Sequence, residues 1–389
     1  MKIYFFSPFC LLRPTTNRIF DMRLCDGLAG NGANIAIIHP YTYMKENISC
    51  KDIYKSYGVK ERFSVRMLYT PLFELSGKYF TFSVLVTAFT ITTLRIIAVN
   101  IGGVNNVIIL SRDIKVVLPA LILKKIFGRL FRVRIVLIVP EIRPGKLYHW
   151  AVRNVDGLCA NVSSASDQLI TKYNIKPENI FLLLAPVPDY KNDISKAEAR
   201  KIIGYNSSTP LIVYTGKVGL GVQELFYILD AAEILRDYHF MFTGGRQSAV
   251  EYFRKLCSER KLYNITFTGF FNNSTFVRNY QLAADVLVSY YTRADHTVEH
   301  SYPQKINEYM STFNPVVTPN FAATRDVINE NNAIFVEPEN PVSLAQGIKK
   351  AIEDKEHSAK IAKQAYLDVQ QLAFEKVTKR ILQYLETLN

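Results

Sequence analysis

Lys305 and Glu308 stand three residues apart in the run Ser301-Tyr-Pro-Gln-Lys-Ile-Asn-Glu-Tyr-Met310, a spacing that lets them share one face of a helix. Pro303 suits a first helical turn, with Ser301 or Tyr302 near the cap. A helix N-terminus offers free N–H groups and partial positive charge, which suits a diphosphate. A carboxylate one turn further in can accept two hydrogen bonds from a ribose diol. On spacing alone, an amphipathic helix with an incidental Lys–Glu pair explains the run equally well. Two glycine turns add to it: Gly216-Lys217 and Gly244-Gly245-Arg246 each follow an apolar run, where a cation can enter a crevice. Thr215-Gly-Lys-Val-Gly-Leu-Gly221 has the order GxxGxG, not GxGxxG, and no acidic residue ends the neighbouring strand. A nicotinamide site is therefore disfavoured. Glu141, after the run ending at Val139, is either a functional carboxylate or a strand-end surface residue.

Short apolar runs alternate with helical ones, the pattern of parallel sheets with crossover helices. In the first half, strands are expected at Lys2–Phe6, Ala33–His39, Val65–Tyr69, Asn106–Leu110 and Arg134–Val139, with a helix over Asn17–Asn31. Polar residues and turn formers then make residues 189–209 a linker that holds a short helix, Ser195–Ile203. A second series follows: strands Leu211–Thr215, Phe240–Thr243, Asn264–Thr268, Val286–Tyr290 and Pro315–Thr318, with helix Gln223–Leu235 and closing helices from Pro341 to Leu388. The expected domains are residues 1–188, on the acceptor side, and 210–365, which binds the ligand, with a C-terminal helix over 366–389. Tandem α/β domains bind ligands at the carboxyl ends of their strands.

The chain has 389 residues, 49% hydrophobic and 21% charged, enough for two cores and too apolar for disorder. Five scattered cysteines (Cys10, Cys25, Cys50, Cys159, Cys257) form no CxxC pair, which points to a reducing compartment. No HExxH or Asp-x-Asp occurs, so nothing advertises a metal site. The N-terminal apolar run reads as a first strand rather than a signal peptide, and Tyr79–Leu94 as a buried helix too short to span a bilayer. Charge is lopsided: residues 1–188 hold 24 Lys and Arg against 11 Asp and Glu, which is the whole of the net +13. Nucleic acid, an anionic membrane or an anionic acceptor would each explain it. No nucleic-acid reader module is recognisable. On a helix over Pro119–Arg132, Lys124, Lys125, Arg129 and Arg132 gather on one side, opposite Leu123, Ile126, Phe127 and Leu130. That arrangement suits an anionic membrane surface and a location at the cytoplasmic membrane face.

The Ser301–Val317 run resembles the S-P-x-K-x-x-E-Y-M-A-x-G-x-P-V-V segment of family 4 glycosyltransferases. Further pieces recur in the family's order: Tyr214-Thr-Gly-Lys217, Phe242-Thr-Gly-Gly245, Phe267-Thr-Gly-Phe270 and Ala283-Ala-Asp-Val-Leu-Val-Ser289. The resemblance implies a GT-B fold of two facing Rossmann-like domains, with the C-terminal helix returning to the first. It implies retaining transfer of a hexose from a UDP- or GDP-sugar to a glycan or lipid-linked acceptor, with no cofactor and no metal. It assigns Glu308 to the ribose and Lys217 to the diphosphate, with Lys305 making up missing charge and Arg246 a weaker candidate. Gly216, Gly244, Gly245, Phe270, Ser301 and Tyr302 complete the donor site. Where the family has a second Glu, eight residues before the first, this chain has His300 with Glu299 beside it. Either Glu299 or His300 replaces that catalytic group, and Glu141 is the candidate in the first domain. Val222 or Gln223 stands where a second cation is usual, and Phe313-Asn314 replaces a small residue and Gly. A nucleotide-sugar epimerase and a non-catalytic relative are the alternatives.

Overall fold

The computed structural model describes the chain except for residues 12–14, 42–49, 71–77, 101–106, 128–132, 141, 189, 191–193, 272–273, 295–297, 299–301 and 389, and the side chains of 16, 50–52, 78–83, 100 and 274. The chain divides into two compact units: Met1–Leu183 with Phe374–Asn389, and Leu184–Ala373.

The first unit is built on β1 (Lys2–Phe6), β2 (Asn34–Tyr41), β3 (Ser64–Tyr69), β4 (Val107–Ser111), β5 (Val133–Val139), β6 (Gly157–Ala160) and β7 (Ile180–Leu182). They form one sheet in the order β3-β2-β1-β4-β5-β6-β7, every neighbouring pair parallel. Both faces are covered, so the central strands are near-continuous apolar runs; Ile3, Phe5, Ile109, Leu110, Ile135 and Val136 are all but fully buried. The strand order reverses between β1 and β4, next to the helix Thr16–Gly30.

The last helix, Phe374–Thr387, packs into this first unit, as the resemblance implies. Gly27 and Gly157 make the close approach possible. A Cβ on Gly27 would lie 2.8 Å from the Thr378 side chain, and one on Gly157 would lie 2.5 Å from the Tyr384 hydroxyl. Asn31 donates to the Glu375 carbonyl at 2.9 Å, and Tyr384 donates to the Asn179 carbonyl at 2.6 Å while accepting from the Leu158 N–H at 3.1 Å.

The second unit carries β8 (Leu211–Thr215), β9 (His239–Thr243), β10 (Ile265–Gly269), β11 (Val286–Val288), β12 (Val316–Pro319) and β13 (Ile334–Val336), all parallel in the order β10-β9-β8-β11-β12-β13. Its order reverses between β8 and β11, and the loops leaving these two strands diverge there. Helix Lys196–Ile202 starts with a capping box in which Ser195 and Glu198 satisfy each other's backbone N–H groups.

Two expectations need correcting. Tyr79–Leu94 lies within a helix, Lys78–Asn100, that is not buried all round: Leu85, Phe89 and Ile96 face the core, while Ile91, Leu94 and Val99 face outward. No helix among the described residues is long and apolar enough to cross a membrane. In helix Ile114–Phe127, Leu123 is buried as expected, but Ile126 and Phe127 are exposed beside Lys125. Lys124 does not stand free on the outer face. It is tied to Asp156 at 2.6 Å. Arg129 and Arg132 lie outside the described residues. Cys10, Cys25, Cys159 and Cys257 are buried and none of them is in a disulfide among the described residues.

Candidate donor site

Two strand-end turns of the second unit lock together. The Gly216 N–H donates to the Thr243 carbonyl and the Gly244 N–H to the Gly269 carbonyl, both at 2.9 Å, so the ends of β8, β9 and β10 form one rim. Glycine is required at Gly244, whose φ is +132°; a Cβ there would collide with the carbonyl oxygen of Gly216. Gly245, at φ +90°, is pressed against Val218 in the same way. Gly216 adopts φ +152°, and a Cβ on it would come within 3.4 Å of the Lys305 ammonium nitrogen. The absence of a side chain at Gly216 therefore leaves room for the Lys305 ammonium beside the rim.

Lys305 begins a short helix, Lys305–Met310, that follows the β8/β11 switch. Its Nζ lies 4.0 Å from the centroid of the Tyr214 ring, near the end of β8, and 4.7 Å from that of Tyr291, in the loop after β11. Burial pulls the Lys305 pKa down to about 7, against the opposing attraction of Glu224 and Glu308. The amine thus sits at the edge of ionisation, and an arriving anion tips it to the charged form.

Glu308 is held one turn along. Gln281 donates to its carboxylate at 3.2 Å and also to the Thr215 hydroxyl at 3.2 Å. The Tyr309 hydroxyl accepts from the Thr215 N–H at 2.8 Å, so the helix is keyed to the end of β8. Beneath it, Arg278 donates to the Glu308 carbonyl at 2.9 Å and the Ser311 carbonyl at 2.7 Å, with its guanidinium 4.4 Å from the Tyr190 ring centroid. Burial lowers the Arg278 pKa. Sequence reading missed Gln281, Arg278, Tyr214 and Tyr291. The available signal was the pair Arg278 and Gln281, polar residues three apart in helix Ser274–Ala283 that are buried rather than solvated.

The remaining expected residues divide. Lys217 is exposed directly after Gly216, and its carbonyl accepts from the Tyr214 hydroxyl at 3.3 Å. Arg246 is exposed at the start of helix Gln247–Glu259. Phe270, at the end of β10, leaves 70% of its surface to solvent. Tyr302 is a correction: it is buried, and its hydroxyl accepts from the Ala185 N–H at 2.7 Å and from Asn307 at 3.0 Å. It anchors the segment entering the unit, and no hydroxyl is left facing a ligand. The helix Lys305–Met310 is also only six residues long, too short to supply the long helix dipole expected at its start. Glu141, Glu299, His300 and Ser301 lie outside the described residues. The Phe313-Asn314 departure is accommodated away from the site: Phe313 takes φ +60° with its ring 3.8 Å from Tyr366, and Asn314 donates to the Gln281 carbonyl at 2.9 Å.

In the first unit, polar groups gather at the carboxyl ends of β1, β2 and β4. Asp21, fully buried, accepts from Ser7 at 3.2 Å and Arg112 at 3.4 Å; burial nevertheless raises its pKa to about 6. His39, also fully buried, is held neutral by burial, its pKa lowered to about 4. Thr15 caps helix Thr16–Gly30 without a side-chain bond. Among the described residues no group of three or more His, Cys, Asp or Glu gathers to hold a metal ion.

This site lies at a strand-order switch of a parallel sheet, the place where units of this α/β class bind their ligands. Residues 209–354, which contain nearly all of it, match the family described as glycosyl transferases group 1. An uncharacterized glycosyltransferase of Methanocaldococcus jannaschii is 22% identical over 199 residues, spanning 49% of either chain. The fold of the entire chain is GT-B. It superposes on sucrose-phosphate synthase from Thermosynechococcus elongatus with a TM-score of 0.75, at 15% identity, over 100% of this chain and 98% of that one. A glycosyltransferase from Rickettsia africae gives 0.73, at 12% identity over 100% and 98%. Anabaena HepE, solved with UDP and glucose, gives 0.70, at 15% identity over the full length of both chains.

Proposed function

We propose that this chain is a retaining glycosyltransferase that moves a hexose from a UDP- or GDP-sugar to a glycan or lipid-linked acceptor. The observation that carries the reading is the pairing of Lys305, caged by Tyr214 and Tyr291 beside Gly216, with Glu308, braced by Gln281. A cation at a rim of small residues suits the diphosphate, and a braced carboxylate one turn on suits the ribose. The HepE complexes with UDP and with UDP-glucose, on the same fold, favour a uridine donor.

In the reaction, the bond from the sugar's anomeric carbon to the leaving phosphate oxygen breaks, and a bond to the acceptor oxygen forms on the same face. The transition state is oxocarbenium-like. Negative charge grows on the departing diphosphate, where Lys217 and Lys305 offset it. Arg246 lies near enough in sequence to assist, and Phe270 offers an exposed ring to the base. Glu299 or His300 holds the donor sugar, and Glu141 serves from the first unit. Transfer proceeds without a metal, and the protein works at the cytoplasmic membrane face through the basic first unit.

A thermal-shift panel of nucleoside diphosphates and nucleotide sugars tests this. A ligand at 100 times its dissociation constant adds about 2.7 kcal/mol of stability. No shift with any uridine or guanosine diphosphate compound would overturn the donor assignment. Binding without turnover would favour the non-catalytic relative, and interconversion of free nucleotide sugars the epimerase. Activity that vanishes with chelator would refute metal independence.

A further inference from the structure

Three helices of the first unit lie side by side: Lys78–Asn100 packs along Ile114–Phe127, which in turn meets Lys146–Val152. The first two turn large apolar side chains outward: Ile91, Leu94 and Val99 from one, Ile122, Ile126 and Phe127 from the other. Val99 is 74% exposed and Ile126 68%. Single exposed apolar residues are ordinary, but six on adjoining helices form a patch. The stretch that carries them is strongly basic in sequence: residues 75–156 hold twelve Lys and Arg against Asp113, Glu141 and Asp156, a net +9, with Asp156 paired to Lys124. Arg95 and Lys125 are exposed among the apolar side chains.

The third helix adds the chain's one tryptophan. Trp150 lines a cavity of about 650 Å³ with Lys146, His149, Arg153, Asn154 and Tyr173, and among the described residues no acidic one contributes to its wall. Cations and aromatic rings beside an apolar surface are the composition of the zone where lipid headgroups meet acyl chains. A protein partner would need an apolar patch ringed by acids. An anionic bilayer supplies both complements at once.

We propose that this three-helix face docks on the surface of an anionic phospholipid bilayer. Ile126, Phe127, Val99 and their neighbours enter the interface, and the Lys146/Arg153 cavity receives a lipid phosphate. This deepens the reading of a membrane-face enzyme with a lipid-linked acceptor. It differs from docking by Lys124, Lys125, Arg129 and Arg132 alone, because apolar insertion makes attachment partly resistant to salt.

The full chain is mixed with vesicles of phosphatidylcholine alone or with phosphatidylglycerol added, and the bound fraction is read by flotation. Because Trp150 is the sole tryptophan, its emission should shift to the blue only with the anionic vesicles and be quenched by brominated acyl chains. A Val99→Ser/Ile126→Ser variant should bind at least tenfold more weakly, and what remains should be lost in high salt. A Lys146→Gln/Arg153→Gln variant should lose the preference for phosphatidylglycerol. Thermal shift with UDP-glucose in each variant reports folding and the donor site separately. Wild type that ignores anionic vesicles at low salt overturns the proposal while leaving the transferase reading untouched. So does a concentration-dependent dimer, broken by Ile126→Ser, without vesicle binding. Vesicle binding with no donor binding would fail the transferase reading instead.

Discussion

If Lys305 meets the donor diphosphate, affinity must depend on pH in a direction the structure dictates. In the free protein burial holds the amine's pKa to about 7. A diphosphate beside it favours the ammonium and raises that value. Above pH 7 the complex therefore carries more proton than the free protein, and affinity falls as pH rises. With half the molecules protonated at pH 7 and about one in eleven at pH 8, the dissociation constant should rise about fivefold over that unit. A nucleotide sugar is the right probe, because its diphosphate is a diester whose charge stays constant in this range. Calorimetry with UDP-glucose in two buffers of different ionisation enthalpy should show uptake of about half a proton at pH 7. Lys305→Met should bind more weakly and lose the dependence. Affinity flat from pH 6.5 to 8.5, or the same slope in Lys305→Met, would refute the placement of Lys305 on the diphosphate.

Glu308→Ala should leave the fold intact and weaken nucleotide-sugar binding by about 1.5–3 kcal/mol, the loss of a charge-assisted hydrogen bond; wild-type affinity would remove Glu308 from the ribose. Lys217→Ala should slow transfer and weaken binding of the nucleoside diphosphate far more than that of the bare nucleoside, and equal losses would count against it. In the first unit, His39 is neutral in the fold with a pKa of about 4, so the unfolded chain binds more protons below pH 6.5, and acidification to pH 4 should remove about 3 kcal/mol. Asp21, raised to about 6, acts oppositely: the folded state binds more protons between about pH 4 and 6 and gains stability as pH falls. Asp21→Asn should therefore expose a steep acid loss in denaturant titrations that the wild type largely hides. Unchanged pH profiles in this variant would show that the two shifts do not oppose each other.

Much of the architecture was legible along the chain because central parallel strands are buried on both faces. Lys2–Phe6 and Leu211–Thr215 are unbroken apolar runs, and their ends agree with β1 and β8. β6, β7 and β13 were not anticipated. They span four, three and three residues, too few to show a period, and they are strands only because a neighbour pairs with them. The same division holds at the site. Spacing let Lys305 and Glu308 share a helix face and put Gly216 and Gly244 at strand ends, while the family resemblance was needed to give the pair a role. Tertiary structure alone brought Tyr214 from β8 and Tyr291 from the loop after β11 onto one amine, with the burial that tunes it. It also set Gln281 between Thr215 and Glu308, and turned Tyr302 inward to anchor Ala185. Periodicity tells which residues share a face of one element. Which element that face meets, and so whether Ile126 faces core or solvent and whether a lysine keeps its proton, depends on contacts between segments far apart in the chain.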